Sequence, residues 1–228
     1  ITYPEKYFDS NIKGFFNILE LSKKFKIKHL IFASSSSVYG DSKKFPVKEE
    51  FDTSSPLSFY GASKKINEVM AYSYSNIYKL PLTGLRFFTV YGPNGRPDMA
   101  LFKFAKNIQN NKNIEVFNSG NHERDFTYID DVVECIYKLI TKPPTKNKVP
   151  YEIFNISSNN PNKLINFIKN IELNLGLKSK KNFVGMQAGD VKKTNGDNTK
   201  INNYIKKNKY TNIDEGIYRF INWLKHYK

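Results

Sequence analysis

Two short apolar runs, Lys28 to Ala33 and Leu82 to Phe88, each follow a stretch of helical spacing, and this alternation constrains the chain more than any other feature. Between residues 4 and 24, Phe8, Ile12, Phe15, Phe16 and Leu19 recur every three or four positions, with Phe25 after a gap. Pro4 falls near the start of that stretch, where a helix tolerates it. Residues 59 to 79 repeat the pattern with Met70, Tyr74, Ile77 and Tyr78 and end near Leu80-Pro81. The apolar runs are short and bounded by polar residues, so they read as buried strands. Helix, strand, helix, strand at this spacing predicts a parallel sheet covered by helices, because parallel strands need crossover connections of this length.

After the turn cluster Gly92-Pro93-Asn94-Gly95 the pattern changes. A helix is expected from about Met99 to Gln109, then short strands at Ile114 to Phe117 and Asp125 to Ile129. Asp130 is a candidate N-cap for a helix through Ile140, which Pro143-Pro144 ends. Tyr151 to Ile156 reads as a strand, and helices are expected near 161–175 and 212–226, with a polar loop at 185–198.

The chain has 228 residues, 39% of them apolar and 15% aromatic, enough for a substantial core. No run approaches the ~20 apolar residues of a membrane span, and no basic-then-apolar leader opens it. Cys135 is the only cysteine, cannot form an internal disulfide and falls on an apolar face, so a buried thiol in a reducing cytoplasm is expected. The net charge of +15 invites a nucleic-acid reading, but only four of the 36 basic residues are arginine and the lysines are scattered among asparagines. A solvated lysine surface accounts for that distribution. Where arginine does occur, its planar fork suits bidentate contact with phosphate. The start at Ile1, running straight into a helix, reads as a beginning in mid-fold.

The run Tyr60-Gly61-Ala62-Ser63-Lys64 places Tyr60 and Lys64 four residues apart on the opening turns of a helix, hence on one face. A tyrosine, with a reference pKa near ~10, becomes a base at neutral pH only when its phenolate is stabilised, which a neighbouring ammonium does. The same spacing also suits an ordinary helix-surface pair. Ser35, twenty-five residues upstream, adds weight, because it stands at the carboxyl end of a buried strand, where open α/β sheets bind ligands.

The combination of Ser34-Ser35-Ser36-Ser37-Val38-Tyr39-Gly40, Tyr60-x3-Lys64 and Leu85-Arg86-Phe87-Phe88-Thr89-Val90-Tyr91-Gly92-Pro93 resembles the extended short-chain dehydrogenases/reductases of the NAD-dependent epimerase/dehydratase family. The runs Gly95 to Phe102, Arg124 to Asp131 and Met186 to Val191 are similar to the UDP-glucuronate 4-epimerases within it, and the resemblance covers essentially the whole chain. It implies an α/β fold: the C-terminal part of a Rossmann-like doubly wound sheet (1–91 and 125–156) and a smaller sugar-nucleotide-binding domain (92–124 and 157–228). It also implies NAD as cofactor, a UDP-sugar as substrate, and a homodimer formed through helices 4–24 and 59–79.

By the same resemblance, Tyr60 is the base for the sugar 4-hydroxyl, Lys64 holds the nicotinamide ribose and lowers the pKa of Tyr60, and Ser35 hydrogen-bonds the reacting oxygen. Asn11 lies near the cofactor and Phe88 packs against the nicotinamide, although local backbone satisfaction and core packing explain these two equally well. Thr89 faces the sugar carboxylate, Arg96 the nucleotide and Arg124 the diphosphate, where a surface pair of Arg124 with Asp125 or Glu123 is the competing reading. Gln187 and Asp190 lie near the uridine ribose, Gln187 standing where the family more often has arginine.

Related dehydratases and decarboxylases carry carboxylates just before the Val-Tyr-Gly, because their chemistry needs a further acid or base. Here those positions are Ser36 and Ser37, which donate hydrogen bonds but are not bases near neutral pH. That favours 4-epimerisation of UDP-glucuronate, with UDP-glucose, a UDP-N-acetylhexosamine and UDP-glucuronate decarboxylation left as alternatives. The Gly-rich dinucleotide fingerprint is expected upstream, since no Gly-x-x-Gly-x-x-Gly follows a strand here, so the chain reads as a fragment inactive alone. A cofactor-free UDP-sugar-binding or dimerisation module is the non-enzyme alternative. No metal site is expected.

Overall fold

The computed structural model describes residues 3–187 and 189–227; Ile1, and Ala188 within the run Met186 to Val191, lie outside them. The chain divides into two compact units. The first runs to Phe88 and takes in Val133–Ser157 and Gly196–Asn208, and the second comprises Thr89–Val132, Ser158–Asn195 and the chain from Lys209.

The core of the first unit is a parallel sheet of β1 (Leu30–Ser35), β2 (Leu82–Phe87) and β6 (Tyr151–Ile156), with β2 in the middle. Leu30 stands opposite Leu82 and Leu82 opposite Tyr151, so the three strands start level and end level. The expected Lys28–Ala33 strand is therefore shifted two residues along. Ser34 and Ser35 stay in the ladder opposite Arg86 and Phe87, and Ser34 is kept there by a buried partner for its hydroxyl.

The expected 4–24 helix forms in three parts, α1 (Pro4–Tyr7), a π-helical segment (Phe8–Lys13) and α2 (Gly14–Lys24). A π segment inserts an extra residue and turns the side chains on it relative to the flanking α-helix, a feature frequent at functional sites. The second crossover helix, α3 (Phe59–Tyr78), is capped by Ser58, whose Oγ accepts from Gly61 N at 3.1 Å. Leu19, Phe32, Ala71, Leu80, Leu82 and Ile153 form the buried cluster between helix and sheet. Each of the leucine, isoleucine and phenylalanine side chains among them contributes about 1.5–3 kcal/mol by leaving water.

The second unit has two small sheets. In one, β5 (Glu123–Tyr128) lies between β3 (Thr89–Tyr91), parallel to it, and β7 (Pro161–Lys163), antiparallel. In the other, β4 (Asn113–Phe117) pairs in parallel with β8 (Lys180–Val184). Residues 89–91 and 125–132 lie with this unit because β3 pairs with β5, and residues 196–208 lie with the first. Helices α4 (Ala100–Gln109), α6 (Leu164–Leu175) and α8 (Ile213–His226) cover an aromatic core in which Phe126 and Phe167 stack at 4.1 Å.

Two expectations need correction here. Helix α5 (Ile129–Ile140) begins one residue before Asp130, so Asp130 is not its cap but an acidic residue of the first turn, 3.7 Å from Arg219. Residues 161–163 are strand, not helix, because they complete the edge of β5. The helix expected from about Met99 to Gln109 forms as Ala100–Gln109, with Met99 as its extended N-cap. Among the described residues no helix is long and apolar enough to cross a membrane.

Candidate active site

In the first unit, the serine run and α3 are brought together by a missing side chain. A Cβ on Gly61 would stand 2.7 Å from the Ser37 carbonyl oxygen, so only glycine lets the first turn of α3 approach the turn Ser36–Tyr39 this closely. Gly40 closes that turn at φ 57°, where a Cβ would meet Ser55 O at 2.3 Å. Ser35 is buried and extended, and its Oγ accepts from Ser37 N at 3.1 Å, fixing Ser36 and Ser37 as a short helical turn, half-buried.

Tyr60 and Lys64 lie on one face of α3, with the Lys64 Nζ 5.9 Å from the centre of the Tyr60 ring. Lys64 Nζ donates to the Ala33 carbonyl at 3.1 Å, and burial holds its pKa below the usual lysine value. The ring of Tyr7 tilts against Tyr60 at 5.7 Å. Asn11, on the π segment, donates to Ser63 Oγ at 2.9 Å, and Ser63 Oγ donates to the Tyr60 carbonyl at 2.7 Å. Thus Asn11, Tyr60 and Lys64 form one connected group. Phe88 is buried in a cluster with Val38, Tyr39 and Val47, which is a core position.

Beneath this group lies a pair that sequence reasoning missed. Glu68 follows Lys64 by four residues and is gripped by Arg86, Nε to Oε1 at 2.8 Å and Nη2 to Oε2 at 2.9 Å. Ser34 Oγ donates to Glu68 Oε1 at 2.6 Å, and Arg86 Nη1 donates to Tyr39 OH at 2.9 Å. The Arg86 fork therefore serves an internal carboxylate rather than a phosphate. Burial pushes the Tyr39 phenol up to about 12, against the pull of Arg86.

In the second unit, Arg124 is mostly buried and donates from Nη2 to Asp190 Oδ1 at 2.7 Å and from Nη1 to the Lys192 carbonyl at 3.1 Å. Its carboxylate partner is Asp190, not Asp125 or Glu123; Asp125 instead accepts from Ser158 N, Ser158 Oγ and Asn159 N. Burial lowers the Arg124 pKa although Asp190 opposes it. Asp190 N donates to Gln187 O at 3.2 Å, so the two share a turn. Gln187 borders a cavity of about 470 Å³ with Lys103, Phe104, Asn107, Phe117 and Asn182. Thr89 is half-buried on β3. Arg96 is exposed and paired at two points with Asp98, Nε to Oδ1 at 3.1 Å and Nη2 to Oδ2 at 3.0 Å, apart from the Arg124 cluster in its contacts. No group of three or more His, Cys, Asp or Glu that could hold a metal ion occurs among the described residues.

A parallel sheet whose first strand ends in a serine turn, met by a helix that carries tyrosine and lysine four residues apart, defines a protein of the short-chain dehydrogenase/reductase type. A model of the NAD dependent epimerase/dehydratase family matches residues 1–157, and the chain belongs to that family. Protein CapI of Staphylococcus aureus is 48% identical across this whole chain, which covers 72% of that protein. A probable UDP-glucuronate 4-epimerase of Rhizobium meliloti is 40% identical over 96% of this chain and 69% of its own length. The crystal structure of UDP-glucuronic acid 4-epimerase from Bacillus cereus in complex with UDP-glucuronic acid and NAD is similar with a TM-score of 0.88 at 31% identity, over 95% of this chain and 67% of that one.

Proposed function

We propose that these residues form the catalytic and substrate-binding part of an NAD-dependent UDP-sugar 4-epimerase acting between UDP-glucuronate and UDP-galacturonate. The observation that carries this reading is the docking, through Gly61, of the opening turns of α3, which carry Tyr60 and Lys64, on a serine turn that offers hydroxyls and no carboxylate.

The Lys64 ammonium and the Asn11 group fit the nicotinamide-ribose end of the cofactor, since Lys64 is half-buried beside Tyr60 and its Nζ donates to the Ala33 carbonyl. When bound, NAD supplies the hydride acceptor and donor for sugar carbon 4, so the net redox change is zero. Tyr60 removes the 4-hydroxyl proton and later returns it. Lys64 stabilises the phenolate that this requires, and Ser35 hydrogen-bonds the same oxygen as its charge changes. The 4-keto sugar turns over in the site before reduction on its other face. Ser36 and Ser37 hold the sugar carboxylate and supply no base for elimination or decarboxylation.

Arg124 grips the diphosphate, as a fork does well, and Asp190 and Gln187 take the uridine. The cavity beside Gln187 supports this, since it pairs the aromatic rings of Phe104 and Phe117 with the amides of Asn107 and Asn182. Arg96 contacts the nucleotide once it leaves Asp98. The exposed apolar side chains Phe16, Ile18 and Leu21 of α2 and Ile66, Val69 and Tyr72 of α3 form the face of a homodimer.

Calorimetry with UDP-glucuronate, with and without NAD, tests the reading. Sugar and nicotinamide bound in contact are expected to alter each other's affinity, whereas UDP-sugar binding indifferent to NAD would favour a binding module.

A further inference from the structure

His122 takes no part in the mechanism above. It precedes β5 by one residue, its side chain is only 4% exposed, and among the described residues its Nε2 has no hydrogen-bond partner. That atom lies 3.5 Å from Asp190 Oδ2. The other oxygen, Oδ1, accepts from Arg124 Nη2 at 2.7 Å and from Val191 N at 2.8 Å. One carboxylate is thus held on one side by a guanidinium and faced on the other by a histidine just beyond hydrogen-bonding reach. Leaving a buried polar atom without a partner is costly, so a state in which Nε2 finds one is favoured.

The arrangement poses a problem for ligand binding. Arg124 is engaged with Asp190, and an incoming anion must compete for the fork. We propose that His122 is a positioning residue of the nucleotide site: as a diphosphate engages Arg124, His122 takes up a proton from solvent and pairs through Nε2 with Asp190, releasing the guanidinium to the anion. This rests on the reading of Arg124 and Asp190 as nucleotide contacts.

The charges around His122 set the sign. From β5 it is faced by Glu123 and Arg124, from β7 by Lys163, and from the segment after β8 by Asp190, Lys192 and Lys193. Glu123 and Lys193 pair with each other at 2.9 Å. Burial and the charge of Arg124 hold the His122 pKa below the usual histidine value, with Asp190 acting the other way. A bound diphosphate cancels the Arg124 charge and leaves Asp190 to His122, so protonation becomes easier in the complex. By linkage, binding takes up protons and tightens as pH falls.

The test is calorimetry of the 228-residue chain with UDP-glucose, which has no group titrating between about pH 5.5 and 7.5. It is run across that range in buffers of different ionisation heat. The expected result is proton uptake and about threefold or greater tightening toward the acid end. In His122→Gln both effects vanish. Nitrogen-15 NMR of the unaltered chain gives a second readout that survives any folding defect of the variant: the His122 ring should titrate at higher pH with UDP-glucose than without. Affinity independent of pH, equal pH dependence in His122→Gln, or a ring pKa unmoved by ligand would overturn the proposal. Arg124→Gln isolates the underlying reading, because undiminished UDP-glucose binding in that variant would remove Arg124 from the nucleotide site altogether.

Discussion

Glu68 of α3 and Arg86 of β2 meet in a buried two-point ion pair, 2.8 and 2.9 Å, four residues beyond Lys64. Because Tyr60, Lys64 and Glu68 follow one another at four-residue intervals, the pair fixes the face of α3 to which the proposal assigns the chemistry. Breaking a buried pair leaves an uncompensated charge and costs about 3–5 kcal/mol. Arg86→Met should therefore lower the unfolding free energy by about that amount in urea denaturation. A loss below about 1 kcal/mol would show that the pair does not anchor the helix.

The approach of α3 to the serine turn depends on Gly61. In Gly61→Ala the new methyl must displace the Ser37 carbonyl, which would stand 2.7 Å away, and overpacking of this sort costs about 1–3 kcal/mol. The expected outcome is a lower melting temperature together with weaker UDP-glucuronate binding. Unchanged values of both would mean that the turn is free to yield.

Glu172 provides a pH test of stability. Burial raises its pKa, but hydrogen bonds from Lys181 and Ser179 outweigh that and hold it at about 2. Its stabilising effect is fully present above the unfolded value of 4.5 and is lost as pH falls through about 2. Glu172→Gln should be less stable by about 3 kcal/mol at neutral pH, the difference shrinking steadily below about pH 4. A constant difference between pH 7 and 2.5 would contradict the assignment.

The dimer proposal rests on an exposed face, so it can be broken without touching the core. Val69 is 58% exposed on α3. Sedimentation should find a dimer for the unaltered chain and a monomer for Val69→Glu, with the melting profile still cooperative. A monomer in both cases would dismiss this face as the interface.

Much of the first unit was legible in the sequence, because its strands are short apolar runs and its crossover helices are long enough to show their period. The three-residue strands β3 and β7 carry no period at all, and β8, Lys180–Val184, begins with two lysines and hides its pairing with β4. Tyr60 and Lys64 could be found from spacing, since both lie on one helix. Arg86 and Glu68 could not, because their partnership joins β2 to α3 and only the fold brings them together. His122 gave a faint signal as one of three histidines, two residues before Arg124, yet its burial against Asp190 is a property of the folded unit.

The central claim is that Tyr60, supported by Lys64, is the base. In the NAD-containing enzyme that includes these residues, conversion of UDP-glucuronate to UDP-galacturonate can be followed by proton NMR for the unaltered protein and for Tyr60→Phe, with UDP-glucuronate affinity measured alongside. Removing the phenol should cost at least about 100-fold in turnover while substrate still binds. Turnover retained in Tyr60→Phe would contradict the account.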